Sequence, residues 1–197
     1  MGRVRAYVGL GANLGHAPAT LAAGVRALAS LPDVRLRGVS RLYATKPVGL
    51  EDQPEFRNAA VALEVPAGPD PATGAAALLI ALKGIERAFG RRERQRWGPR
   101  ELDLDLLVFG QARLSLDRPP GGLSLDPGKA ARLLVVPHPE SPERLFVLAP
   151  LADLAPGLVP PGWDHTVAWF RRRRESLEGP DAVRVLGSWD PAAATWR

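Results

Sequence analysis

ELDLDLLVFG, residues 101–110, alternates acid and leucine for six positions, runs apolar for three more and then meets a glycine. A period of two marks a strand with one face in the core, and the closing apolar run marks a strand end buried on both faces. Asp103 and Asp105 therefore leave one face together, while Leu102, Leu104 and Leu106 enter the core from the other. Just before this strand, GRRERQRWGPR (residues 90–100) places Arg91, Arg92, Arg94, Arg96 and Arg100 around Trp97, a composition that belongs to a long polar loop. Further back, Asp70-Pro71 supplies an N-cap and a first-turn proline for a helix. Leu78, Leu82, Ile85 and Phe89 lie on one face of that helix, which Gly90 ends. Phe56 to Val65 has strand character, and ATKPVGLEDQPE (44–55) before it is a second long loop. Val34 to Tyr43 alternates with a slip at Gly38, which predicts a bulged strand. Pro18, Leu21, Val25 and Leu28 predict a helix stopped by Pro32 and Asp33. Arg3 to Gly9 reads as a first strand ending in the glycine-marked turn GLGANLG. Strand, helix, strand, strand, helix, strand is the order of an α+β, ferredoxin-like fold: a mainly antiparallel sheet with both helices packed on one face.

Downstream of this unit, residues 111–131 are rich in proline, glycine and aspartate and read as a hairpin arm with a surface loop. Phe146 to Leu154 predicts a short helix. The tail adds an amphipathic helix near His165 to Ser176 and a last strand, Ala182 to Leu186. Residues 1–162 are expected to form one domain, with 163–197 as a C-terminal extension packed on it.

The bulk numbers agree with one globular domain: 197 residues, 46% hydrophobic and 24% charged. The absence of cysteine removes disulfides, thiolate zinc sites and cysteine nucleophiles, and it suits a reducing, cytoplasmic setting. No apolar run approaches the ~20 residues of a membrane span, and glycines break the apolar stretch at the start, which is not read as a signal peptide. A formal charge of +5, carried almost wholly by arginine, suits an anionic partner; nucleotide phosphate, nucleic acid and an acidic surface all meet that description.

Two carboxylates on one strand face repel each other unless a hard divalent cation or a set of arginines neutralises them, and oxygen-only ligation matches magnesium rather than zinc. Glu101 is expected on the same face as a third acid. The plain alternative is a solvated edge-strand face. The arginines of 91–100 suit bidentate phosphate contacts; the alternative is an RNA patch with Trp97 as a stacking platform. An RNA-binding module of this fold wants aromatics on a central strand, and the acids of ELDLDLLVF stand there instead. GLGANL lacks the third glycine of a dinucleotide fingerprint and the lysine of a P-loop, so it is read as a tight turn in which Asn13 bonds nearby backbone. His138, alone between two prolines, is on its own more readily structural than catalytic.

RWGPRELDLDLLVFG, Arg96 to Gly110, closely resembles the signature of the 6-hydroxymethyl-7,8-dihydropterin pyrophosphokinase family of folate biosynthesis. GLGANLG, TKPVGLEDQPEFRNAAVALE (Thr45 to Glu64) and VPHPESPERLFVLAPL (Val136 to Leu151) resemble the other family blocks in the same order. The resemblance implies transfer of diphosphate from ATP to the hydroxymethyl group of 6-hydroxymethyl-7,8-dihydropterin with release of AMP. It implies that Asp103 and Asp105 hold two magnesium ions, and that Arg91 and Arg100 close on the phosphates. It places Glu86, Leu106, His138, Arg144 and Trp97 around ATP, and Thr45, Val48, Phe56, Asn58 and Phe146 around the pterin, with the two phenylalanines sandwiching its ring. A monomer that uses neither nucleic acid nor membrane is expected. The sequence departs from the family pattern at Glu101, where threonine is common, at Phe56, where tyrosine is frequent, and at Lys83, where glutamine is frequent. A nucleotidyltransferase is the nearest enzymatic alternative, and a non-catalytic RNA-binding protein the alternative of another class.

Overall fold

The computed structural model of the chain describes residues 2–47, 49, 52–91, 98–118, 132–179 and 181–197. Its central elements are β1 (Arg3–Ala12), α1 (Ala17–Ala29), β2 (Arg35–Val39), β3 (Leu42–Thr45), β4 (Phe56–Pro66), α2 (Pro71–Ala88) and β5 (Asp103–Phe109). The main sheet runs β5-β1-β4-β3, with β2 also pairing with β4, and these pairings are antiparallel. This is the ferredoxin-like order expected from the sequence. The predicted long strand 34–43 is broken into β2 and β3, and the register against β4 shifts between Leu36 and Gly38, where the slip in alternation predicts a bulge.

Local chemistry sets the helix starts. Asp70 caps α2 by accepting from Thr73 N at 3.0 Å and from Thr73 Oγ1 at 2.6 Å, the side-chain cap that satisfies an otherwise orphaned first-turn N–H. Gly74 is required in the first turn, because a Cβ there would lie 2.2 Å from the carbonyl oxygen of Ala67. His16 performs the same service for α1, its Nδ1 accepting from Ala19 N at 3.3 Å. The apolar faces of both helices then close over one side of the sheet. Leu21, Val25 and Leu28 from α1, and Leu78, Leu82 and Ile85 from α2, share a core with Leu102, Leu104 and Leu106.

The opposite side of the sheet is covered by later elements: α3 (Leu145–Leu154) and α4 (Val167–Glu178). Leu148 and Leu151 of α3 and Phe170 of α4 pack with Leu107 and Val108 of β5. The 111–131 excursion begins and ends as a hairpin of β6 (Leu114–Asp117) and β7 (Arg132–Val136). The tail carries β8 (Val183–Gly187), which pairs with β3 at the far edge of the sheet. It ends in a small hairpin, β9 (Trp189–Asp190) with β10 (Thr195–Trp196), that the sequence does not announce. No helix among the described residues is long and apolar enough to cross a membrane.

One expectation is corrected. GLGANL is not a turn, since β1 continues through it to Ala12. Gly9 and Gly11 are strand residues, Gly9 opposite Asp105 and Ala60, and Gly11 opposite Asp103 and Asn58. Facing residues of an antiparallel pair share a sheet face, so the glycines supply a flat floor between the acids of β5 and Asn58 and Ala60 of β4.

Candidate active site

The acids, floor and polar residues form one surface on the side of the sheet opposite α1 and α2. Across it run Asp103, Gly11, Asn58 and Tyr43 in one row, and Asp105, Gly9 and Ala60 in the next. Asn58 Nδ2 donates to Thr45 Oγ1 at 2.8 Å, both groups buried, and Thr45 pairs with Phe56 in the β3–β4 register. Phe146 belongs to α3, which covers this face of the sheet. Arg144, at the N-cap of α3, lies over the Phe146 ring with its guanidinium 5.6 Å from the centroid and is ion-paired with Glu140. His138 is tied to β5 through its N–H to Leu107 O at 2.9 Å, and its Nδ1 accepts from Glu140 N at 3.3 Å.

At the outer edge of β5, toward its start, the charges are densely paired. Arg91 Nη1 reaches Asp103 Oδ1 at 2.5 Å and is also hydrogen-bonded to Glu86. Arg100 Nη1 holds the other oxygen of Asp103. Burial alone would raise the Asp103 carboxyl, but Arg100, Arg91 and then Lys83 outweigh it and hold the group well below the ordinary carboxylate range. Glu86 shows the opposite balance. It is 2% exposed, and burial raises it despite Lys83 Nζ at 2.9 Å. Its Oε1 accepts from Leu104 N at 2.7 Å, satisfying an N–H that the edge strand leaves without a partner strand. Arg91 is held above its usual value, since Asp103, Glu86 and Asp105 outweigh its own burial. Glu86 and the buried side chain of Leu106 lie on the α2 side of β5, whereas Asp103 and Asp105 lie on the other.

Asn13 is the residue whose part here exceeds its expected one. It is 4% exposed, and rather than bonding nearby backbone it joins three segments. Its Nδ2 donates to Gln53 Oε1 at 2.9 Å and Pro54 O at 3.1 Å, and its Oδ1 accepts from Arg100 N at 2.8 Å. The N–H groups of Asn13 and Leu14 both donate to Arg100 O. The ends of the two loops expected at 44–55 and 90–100 therefore meet on one buried amide. A buried asparagine after a glycine-rich strand is the signal for such a role, although nothing local names its partners.

The donor set fits magnesium. Asp103 and Asp105 offer hard oxygens two residues apart, and the glycines facing them add no side chain of their own, with Leu107 packed beside Gly9 and Asn58 Oδ1 beside Gly11. Among the described residues no group of three or more His, Cys, Asp or Glu is placed to hold a metal, so water and phosphate oxygens would complete the shell, as magnesium prefers. The expected third acid does not complete a set with the pair: Glu101 sits in a bend before β5, and no metal-holding group of three such residues is found among the described residues. Trp97 and Val48 lie outside the described residues.

Residues 7–156 match the family described as 7,8-dihydro-6-hydroxymethylpterin-pyrophosphokinase. A 2-amino-4-hydroxy-6-hydroxymethyldihydropteridine pyrophosphokinase of Pseudomonas aeruginosa is 42% identical over 161 residues, 82% of this chain and 86% of that protein. The protein of the same name from Bacillus subtilis is 38% identical over 76% of this chain and 77% of its own length. Among solved structures, a wild-type HPPK-DHPS of Plasmodium falciparum superposes with a TM-score of 0.71 at 13% identity over 95% of this chain, which spans 49% of that longer one. The last similarity concerns the fold alone.

Proposed function

The chain belongs to the 7,8-dihydro-6-hydroxymethylpterin-pyrophosphokinase family, and from that premise we infer that it transfers diphosphate from ATP to the hydroxymethyl group of 6-hydroxymethyl-7,8-dihydropterin at the surface just described. The activity is that of an ATP-dependent kinase of folate biosynthesis. The residue assignments are our proposal. The observation that carries them is the single face on which Asp103 and Asp105 stand across a glycine floor from Asn58, with Thr45 and Phe56 beside it.

The pterin hydroxyl oxygen forms a bond to the β-phosphorus of ATP while the bond from that phosphorus to the bridging α-oxygen breaks. AMP leaves, and the hydroxyl proton passes to solvent. Asp103 and Asp105 would hold two magnesium ions, which when bound neutralise phosphate charge and acidify the hydroxyl. Arg91 and Arg100, which neutralise Asp103, would turn to the phosphates, where a guanidinium fork matches two oxygens at once. Phe56 and Phe146 sandwich the pterin ring, whose offset stacking adds about 0.5–1.5 kcal/mol beyond area burial, and Asn58 with Thr45 reads its polar edge. Glu86, Leu106, His138 and Arg144 are assigned to the nucleotide: Glu86 and Leu106 would act from behind β5, His138 from beside Leu107 and Arg144 from the start of α3. Asn13 couples the ends of the two loops, so that closing one draws in the other and water is kept from the phosphorus.

The deciding measurement is product analysis after mixing the folded protein with ATP, magnesium and hydroxymethyl-dihydropterin. AMP formed only when the pterin is present is expected. Pyrophosphate release in its place would point to nucleotidyl transfer and refute the assignment.

A further inference from the structure

The matched family region ends at residue 156, yet a segment well beyond it is built into the flank of the pterin side. β8 pairs with β3 so that Val183 faces Thr45 and Arg184 faces Ala44. Ala182 and Val183 pack on a small core of Tyr43, Leu145 and Ala149, and Leu145 immediately precedes Phe146 on α3. From the same strand, Arg184 Nη2 lies 2.9 and 2.8 Å from the two oxygens of Glu55, the residue before Phe56. One short strand thus touches the immediate neighbours of Thr45, Phe56 and Phe146. We propose that β8 is a brace for the pterin subsite and that Arg184, through its clasp on Glu55, is a positioning residue that holds the end of the 44–55 loop and hence the Phe56 ring against the site.

Resting on the pterin assignment above, this reading adds a determinant of pterin binding from a part of the chain outside the matched family region. The Glu55–Arg184 pair is half-exposed, at 34% and 53%, so its share of global stability is small. Its effect belongs to the loop. Glu55 has no regular element of its own, and Arg57, 3.3 Å away on β4, is its other cation. Arg184, ahead of Arg57, holds the Glu55 carboxyl below its ordinary value.

The test compares Arg184→Glu, Arg184→Lys and, as a control, Phe56→Ala in the full-length protein. Arg184→Glu is expected to raise KM for the pterin about three- to fivefold, the range of a surface ion pair. KM for ATP and the thermal midpoint should stay near their starting values, and Arg184→Lys should restore most of the pterin KM. Amide hydrogen exchange over residues 52–57 should quicken in Arg184→Glu alone. If Phe56→Ala raises the pterin KM while Arg184→Glu does not, or if Arg184→Glu raises both KM values together, the brace is refuted and the pterin assignment survives. If Phe56→Ala leaves the pterin KM unchanged, the pterin assignment itself falls and the proposal falls with it.

Discussion

Asp103 and Asp153 are each held by arginines, and their side chains are almost equally shielded, at 15% and 11% exposure, so burial does not separate them. Their neighbours do. Asp153, near the end of α3, accepts from the backbone N–H of Arg41 at 3.1 Å, from Arg41 Nη2 at 2.6 Å and from Tyr43 OH at 2.9 Å, with Arg171 of α4 3.7 Å away. Those donors stand on β3, just before it, and on a helix, and they saturate the carboxylate from fixed positions. Arg91 and Arg100 approach Asp103 from the two ends of one loop, and Arg91 is shared with Glu86. A second carboxylate, Asp105, stands two residues away over a glycine floor. Both sets of donors are anchored, Arg91 by its N–H to Glu86 O and Arg100 by its N–H to Asn13 Oδ1, so it is the second carboxylate, Asp105, that marks the proposed site off from the strut at Asp153.

The sharpest way to break that contrast is to neutralise each acid in turn. Asp103→Asn is expected to lower turnover at least about a hundredfold, the loss of charge stabilisation worth several kcal/mol at a metal-assisted transfer. Its thermal midpoint should fall by no more than a few degrees, because Glu86 and Asp105 remain beside Arg91 when Asp103 is neutralised. Asp153→Asn is expected to do the reverse: about 2–3 kcal/mol lost in urea unfolding, since Arg41 would be left without its charge partner, and near-normal kcat in the folded fraction. A stable but inactive Asp153→Asn, or an unfolded Asp103→Asn, would erase the distinction.

Acid titration sharpens it further. Arg41 and Tyr43 outweigh burial and hold Asp153 below its ordinary value, as Arg100 and Arg91 do for Asp103. A carboxylate whose folded value is depressed contributes stability that is complete above its unfolded value, about pH 4, and drains away as pH falls through the folded one. The midpoint of thermal unfolding should therefore hold down to about pH 4 and decline below it. In Asp153→Asn the whole curve should sit lower and its acid limb should be shallower. An unchanged acid limb would mean that the Asp153 pairings contribute nothing to folding.

How much of this was legible beforehand follows the range of the interactions. The alternation of ELDLDLLVF places β5 and both acids, Asp70-Pro71 marks the start of α2, and the slip at Gly38 marks the bulge, because each is written within a few neighbouring residues. The site elements named by resemblance come from separate blocks, and their convergence needs the strand order that the βαββαβ pattern supplies. What escapes is long-range and aperiodic. Arg41 and Asp153 are 112 residues apart, Asn13 and Arg100 are 87 apart, and Arg184 and Glu55 are 129 apart. The glycines of GLGANL mislead for a physical reason: glycine usually signals a turn, but in β1 it lets Leu107 and Asn58 pack against the strand between Asp103 and Asp105 on one side and β4 on the other. The β9–β10 hairpin escapes because strands of two residues carry no period, and its Trp189–Trp196 edge contact, centroids 4.7 Å apart, forms only once the chain has turned back.

The smallest expected effect tests whether the Asp153 strut is independent of the chemistry on the same sheet. Tyr43 is 1% exposed and pairs in register with Asn58, so it sits one strand from a residue assigned to the pterin. Burial, and then the Asp153 carboxylate, push its hydroxyl up to about 12, so it is a neutral donor at every pH near neutrality. Tyr43→Phe keeps the ring packed on Leu145 and Ala149 and removes only the hydrogen bond to Asp153, which Arg41 still holds. A loss of about 1 kcal/mol is expected in urea unfolding, the net worth of one such bond, with kcat and both KM values unchanged. If the pterin KM rises in Tyr43→Phe by more than the Arg184→Glu change produces, the Asp153 network is part of the binding surface, and strut and site are not separate.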